Sequence, residues 1–183
     1  ITNAVKRKYK ISSDYIFSLS TLEPRKNQKR LIQAFGLVKK THPDLKLIIG
    51  GRTGWGEELK KEKDVIFPGF IPDADLPALY SGCLVYALPS LYEGFSLSQL
   101  QAMACAAPVV TSNTSSMPEV VGSAGILVDP ASASSIAAGI MKAIKNKAVL
   151  SQKGIERSKE FSWEKTAKET HDLYQKVLKQ KNS

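Results

Sequence analysis

Short apolar runs recur along this chain, each closed by a breaker and followed by a more polar stretch. Tyr15-Ile-Phe-Ser-Leu-Ser20, Leu45-Lys-Leu-Ile-Ile49, Val65-Ile-Phe67, Leu84-Val-Tyr-Ala-Leu88, Pro108-Val-Val-Thr111 and Gly125-Ile-Leu-Val128 read as six strands. Between them the period changes from strand to helix. Residues 28–40 carry Leu31, Phe35 and Val38 at the i, i+4, i+7 spacing of one buried face, with Asn27 placed as an N-cap. Residues 73–81 fit a short helix. Residues 97–105 fit another, with Ser96 and Gln99 in capping-box register. The segment 52–63 reads as a loop turning into a short helix. Three helical stretches close the chain: 134–146 with Ile136, Ile140 and Ile144 on one stripe, 148–161, and 163–179 with Trp163, Ala167, Tyr174 and Leu178.

Strands alternating with helices predict a doubly wound, six-stranded parallel α/β sheet covered on both faces. The strands are rich in Val, Ile and Leu, as burial on both sides requires. At 183 residues the chain is expected to be a single domain, residues 1–183, and it opens on Ile1. We read it as a piece of a longer protein. No run approaches a membrane span and no signal-peptide pattern is visible. Cys83 and Cys105 lie in apolar surroundings and are expected to be buried thiols in a reducing compartment. His42 and His171 lack metal-ligand spacing, so no metal site is expected.

The net charge is +9, and eleven of the 26 Lys and Arg lie between Lys142 and Lys181, mixed with Glu156, Glu160, Glu164 and Glu169. Mixed signs on helices describe a solvated face. The alternative is peripheral contact with an anionic surface such as lipid headgroups. Nucleic acid is disfavoured, because basic and aromatic residues do not interleave.

In open parallel sheets ligands bind beyond the carboxyl ends of the strands. Five loops there are candidates. Glu23-Pro-Arg-Lys-Asn27 sets Arg25 and Lys26 beside the backbone N–H groups of a helix start, which suits a diphosphate. A solvated turn is the plainer reading. Glu93, after the fourth strand, could accept hydrogen bonds from sugar hydroxyls, with Gly94 and Phe95 offering backbone N–H groups. Its plainer reading is a surface loop residue. Phe67-Pro-Gly-Phe-Ile71 could offer backbone groups to a base edge, or be an ordinary turn. Gly50-Gly-Arg-Thr-Gly-Trp-Gly56 is either a close-approach loop or a mobile one. No G-x-G-x-x-G follows the first strand, which disfavours an NAD-type site. Thr114-Ser-Ser-Met-Pro-Glu119 is rich in hydroxyls and leads into a turn of helix, where Glu119 is expected to be structural.

Taken together, these motifs resemble the nucleotide-sugar-binding C-terminal domain of glycosyltransferase family 4, the group 1 retaining transferases of GT-B fold. The Thr21-Leu-Glu-Pro-Arg-Lys-Asn27 form looks most like the mannosyltransferase-like members. The resemblance implies a Rossmann-like domain that binds a GDP- or UDP-linked sugar, with no cofactor and no metal. It implies an absent N-terminal domain for a glycan or lipid-linked acceptor, and a cytoplasmic location, at most peripheral to the membrane. By the same resemblance Arg25 and Lys26 bind the diphosphate, and Gly69 and Phe70 contact the base. Glu93 is the first glutamate of an E-x7-E motif, near the donor sugar, and acts in catalysis. Gly94, Phe95 and Ser96 line the donor. The helix from Trp163 crosses back to the partner domain.

Three positions depart from the family pattern. Gln101 stands where the second glutamate contacts the ribose. Ser96 stands in place of a glycine, and Cys105-Ala106-Ala107 in place of Cys-Gly. A degenerate, non-catalytic nucleotide- or partner-binding module is therefore the alternative expectation. The piece alone is expected to be inactive.

Overall fold

The computed structural model describes residues 3–56, 59 and 62–181. Its strands are β1 (Tyr15–Leu19), β2 (Lys46–Gly50), β3 (Val65–Gly69), β4 (Val85–Leu88), β5 (Val109–Ser112) and β6 (Gly125–Val128). All pair in parallel, in the order β3-β2-β1-β4-β5-β6. The chain winds outward from β1 to β3, then from β4 to β6 in the opposite direction. The topological switch therefore lies between β1 and β4.

Helices cover both faces. Strand alternation sends Tyr15 and Phe17 to one side and Ile16 to the other. The first side packs α3 (Leu76–Gly82), α4 (Leu97–Ala104) and α5 (Met117–Val121), together with Tyr9 and Ile11 that follow α1 (Asn3–Lys8). The second packs α2 (Gln28–Val38) and α6 (Ala133–Lys145), with Leu150 of α7 (Lys147–Ser158). Leu31, Phe35 and Val38 of α2 are buried on the stripe that the spacing predicts. Each such side chain contributes about 1.5–3 kcal/mol. Gly51 has φ 142°, and a Cβ there would stand 1.8 Å from the Ser20 carbonyl oxygen, so only glycine lets β2 leave the sheet this way.

On the first side Phe17, Tyr80 and Tyr86 meet edge to face, with ring centroids 5.3–6.0 Å apart. Both tyrosine hydroxyls reach α4: Tyr86 donates to Ser98 Oγ at 2.9 Å and Tyr80 to Gln101 Oε1 at 3.2 Å. Burial pushes both phenols up, so they remain donors.

Two capping expectations are corrected. Asn27 does precede α2, but its backbone is left-handed (φ 61°) and its side chain makes no cap bond. It donates instead to the Pro89 and Pro130 carbonyls at 2.9 and 2.8 Å, tying the loops after β1, β4 and β6 together. Ser96 makes no cap bond to α4 either. Gln99 is fully buried and donates to Thr111 Oγ1 at 2.8 Å. A hydroxyl cap does form at Ser132, accepting from the Ser135 N–H at 3.1 Å at the start of α6, and another at Ser162, accepting from the Lys165 N–H at 3.1 Å before the last helix. Residues 52–56 form the loop expected at the start of 52–63, while residues 57, 58, 60 and 61 of its expected short helix lie outside the described residues.

The expectation that both thiols are buried holds for one of them. Cys83 is buried, its thiol pushed up to about 12 by burial, while Cys105 is only half-buried. The last helix, α8 (Trp163–Lys181), buries none of its described side chains: Trp163, Tyr174 and Leu178 are all exposed. Among the described residues, no helix is long and apolar enough to cross a membrane.

Candidate functional site

The switch point brings the loop after β1 against the loop after β4. The first contains a 3₁₀ turn, Pro24–Lys26, in which proline fixes the opening dihedral. It delivers Arg25 and Lys26 to Glu93, distant in sequence and adjacent in space. Lys26 Nζ lies 2.6 Å from Glu93 Oε1, and Arg25 Nη1 lies 3.0 Å from Oε2. Arg25 also donates to the Tyr92 carbonyl at 3.1 Å, and its Nη2 lies 2.7 Å from Glu23 Oε1. Ser90 Oγ donates to Glu93 Oε1 at 2.8 Å. Glu93 is not the solvated loop residue of its plainer reading, for it is 6% exposed. Burial pushes its carboxyl up, but the hydrogen bonds from Lys26, Ser90 and Arg25 and the Lys26 charge outweigh that. The net displacement is downward, and the group is a carboxylate at neutral pH.

The backbone of Glu93 is held as firmly as its side chain. Ser115 and Ser116, in the loop after β5, both donate to the Glu93 carbonyl, the latter at 2.9 Å. Ser115 Oγ also accepts from the Glu93 N–H at 3.3 Å. Ser112 Oγ donates to the Ser90 carbonyl at 2.5 Å. The hydroxyl-rich segment after β5 thus carries contacts that sequence reasoning left unassigned. Its signal was visible in Thr114-Ser-Ser, but not its target. Glu119, farther along, is exposed, and its carbonyl accepts from Arg157.

The remaining candidates spread along the same sheet edge. Gly94 is exposed, lacks a positive φ, and a Cβ there would meet nothing within 4 Å. Neither packing nor backbone conformation demands glycine at this position. Phe95 is half-exposed, its ring 5.9 Å from that of Phe161. Ser96 is buried, with its Oγ 3.3 Å from Ser98 Oγ. Gln101 is exposed on α4, its amide oxygen turned to Tyr80.

Gly69 has φ 76° with open space beside it, and its carbonyl accepts from the Gly51 N–H at 2.9 Å. Phe70 is exposed beneath the Arg52 guanidinium, 4.7 Å from the ring centroid. These two sit at the end of β3, two strands from β1, which is about 10 Å. They do not touch the Glu93 cluster. A cavity of about 880 Å³ lies between the start of α2 and the glycine-rich loop, lined by Asn27, Arg30 and Trp55 among others. Arg25, Lys26 and Glu93 are not among its lining residues. Among the described residues, no three His, Cys, Asp or Glu side chains converge as metal ligands would.

A parallel sheet in this order, with basic and acidic side chains meeting at its switch point, defines a Rossmann-like α/β domain with its polar site at the strand ends. The family described as "Glycosyl transferases group 1" matches residues 3–168, and the chain belongs to it. Among its relatives is the O-antigen chain mannosyltransferase B of Escherichia coli, 36% identical over 93% of this chain and 48% of that protein. The serotype-specific mannosyltransferase WbdA of Escherichia coli is 32% identical over 96% of this chain and 23% of its own length. The chain thus spans less than half of either relative. Among solved structures, Anabaena HepE in complex with UDP superposes with a TM-score of 0.81 at 22% identity, covering 96% of this chain and 54% of that one. That likeness is one of fold, the Rossmann-like half of a GT-B glycosyltransferase.

Proposed function

We propose that this chain is the donor-binding half of a retaining hexosyltransferase. It would take a nucleoside-diphosphate sugar, mannose-like by preference, and work with an N-terminal domain that binds a glycan or lipid-linked acceptor. The convergence of Arg25, Lys26 and Glu93 at the switch point carries this reading, with the mannosyltransferase relatives and the UDP complex of HepE in support. In the proposed cycle Arg25 and Lys26 hold the diphosphate and stabilise the charge that grows on it as the glycosidic bond breaks. Glu93 accepts hydrogen bonds from sugar hydroxyls. Gly94 and Phe95 bring backbone N–H groups close to the sugar or phosphate. Gly69 and Phe70 meet the base, and Gln101 the ribose. The basic C-terminal helices suit a peripheral position at an anionic cytoplasmic membrane face.

The second reading, a non-catalytic binding module, rests on Gln101. An amide has one acceptor oxygen where a carboxylate has two. Calorimetry with GDP, UDP and ADP tests the donor reading. Diphosphate-dependent binding to one of them supports it, and binding to none overturns it. Sugar transfer by a chain carrying both halves separates the active enzyme from the binding module.

A further inference from the structure

The two cations assigned to the diphosphate are already paired within the chain. Arg25 and Lys26 contribute two positive charges, and Glu93 and Glu23, the carboxylates they touch, contribute two negative ones. At this resolution of charges the cluster is neutral, so it offers an approaching anion little net attraction. Both terminal nitrogens of Arg25 face acidic partners, Nη1 to Glu93 and Nη2 to Glu23. The Arg25 side chain is 43% exposed, against 7% for Glu93 and 13% for both Lys26 and Glu23. An incoming anion therefore meets Arg25 first.

We propose that Glu93 and Glu23 are built-in counter-ions that a diphosphate must displace from Arg25 and Lys26, so that Glu93 restrains nucleotide affinity. This rests on the donor-binding reading. Carboxylate and phosphate oxygens compete for the same N–H donors, and each takes them as charge-assisted bonds. A diphosphate gains new contacts and loses the existing pairs, and only the difference appears as affinity. Displaced from its cations, the Glu93 carboxylate is freed to accept from sugar hydroxyls. Donor arrival and the availability of Glu93 are then one event. The opposite role for Glu93 is that of a scaffold whose carboxylate holds the cations in register. That role predicts weaker binding when the charge is removed.

The experiment is calorimetric titration of pyrophosphate, GDP and UDP into the parent chain and into Glu93→Gln, Glu23→Gln, Arg25→Ala and Lys26→Ala. Glu93→Gln keeps the shape and removes one negative charge. We expect it to bind the diphosphates about five- to tenfold more tightly, with a steeper loss of affinity as salt rises. Glu23→Gln is expected to gain about two- to fivefold through Arg25 alone. Equal or weaker binding by both glutamine variants, with native unfolding transitions, overturns the proposal. If Glu93→Gln does not fold, Glu23→Gln decides by the same criterion. Undiminished diphosphate binding in both alanine variants overturns the donor reading and this inference with it. Loss of binding there without gain in the glutamine variants overturns this inference alone.

Discussion

The sheet carries a carboxylate gripped by two cations at each of its ends. At the amino end Asp64 lies 2.6 Å from Lys39 Nζ and also pairs with Lys46. At the carboxyl end Glu93 pairs with Lys26 and Arg25. Chemically the two are near copies, yet their surroundings differ. Lys39 also donates to the Pro43 and Leu45 carbonyls, so the Asp64 cluster closes on local chain and ties the end of α2 to the starts of β2 and β3. The Glu93 cluster bridges two loops at the topological switch, beside an exposed Gly94 and an exposed Arg25. A paired carboxylate is therefore uninformative by itself. Which end of the sheet it occupies, and how much of it an anion can reach, separates a strut from a site.

The largest expected difference between the two clusters is in turnover. In a chain carrying both halves, Glu93→Gln should lower the rate constant for transfer by about tenfold or more, a loss of about 1.4 kcal/mol or greater. Asp64→Asn should leave it unchanged, and steady-state kinetics on both variants checks the contrast. An equal effect from the two would erase the distinction. Binding comes next. Lys26→Ala and Arg25→Ala should each weaken nucleoside diphosphate binding by about 1.5–3 kcal/mol, whereas Lys39→Ala should not alter it. Titration with GDP and with guanosine separates the phosphate contribution from that of the base.

Gln101→Glu sharpens the picture at the carboxyl end, with an expected gain of about 1 kcal/mol in nucleotide affinity. A glutamate there can still accept from Tyr80 while offering a second oxygen to the ribose. Unchanged affinity would show that Gln101 does not meet the nucleotide. The smallest effect belongs to acid stability. The hydrogen bonds from Lys39 and Lys46 lower the Asp64 carboxyl from 3.8 to about 2. A depressed carboxylate stabilises the fold above its unfolded value and loses that contribution as pH falls toward the folded one. Between pH 3.8 and about 2 the parent should therefore lose more stability than Asp64→Asn does. Thermal unfolding across that window reads the difference, and parallel curves would dismiss Asp64 as a strut.

The strands were legible because each is a short apolar run with a breaker after it, and the α2 stripe because Leu31, Phe35 and Val38 follow one helical face. Arg25, Lys26 and Glu93 were legible singly, as charges after strands. Their mutual pairing was not, because it joins loops 67 and 68 residues apart. The misread caps fail for the same reason. Asn27 and Gln99 have the right spacing for local bonds, but the fold offers them acceptors far along the chain, at Pro130 and Thr111. Ser115 and Ser116 were legible as hydroxyls but not as ties to Glu93, because their acceptor is a backbone atom, and main-chain acceptors leave no mark on composition.

That last property has a consequence for how the loop can change. Apart from the bonds to the Glu93 carboxylate, the ties between Ser90 and Glu93 are to the peptide backbone: Ser112 to the Ser90 carbonyl, the Leu91 N–H to the Arg25 carbonyl, Arg25 to the Tyr92 carbonyl, and Ser115 and Ser116 to the Glu93 carbonyl. The side chains of Leu91 and Tyr92 point away from this mesh, 45% and 64% exposed. A clasp that grips the main chain is indifferent to what those two residues are. Leu91 and Tyr92 can be rewritten, in a library or over generations, and the carboxylate behind them keeps its address.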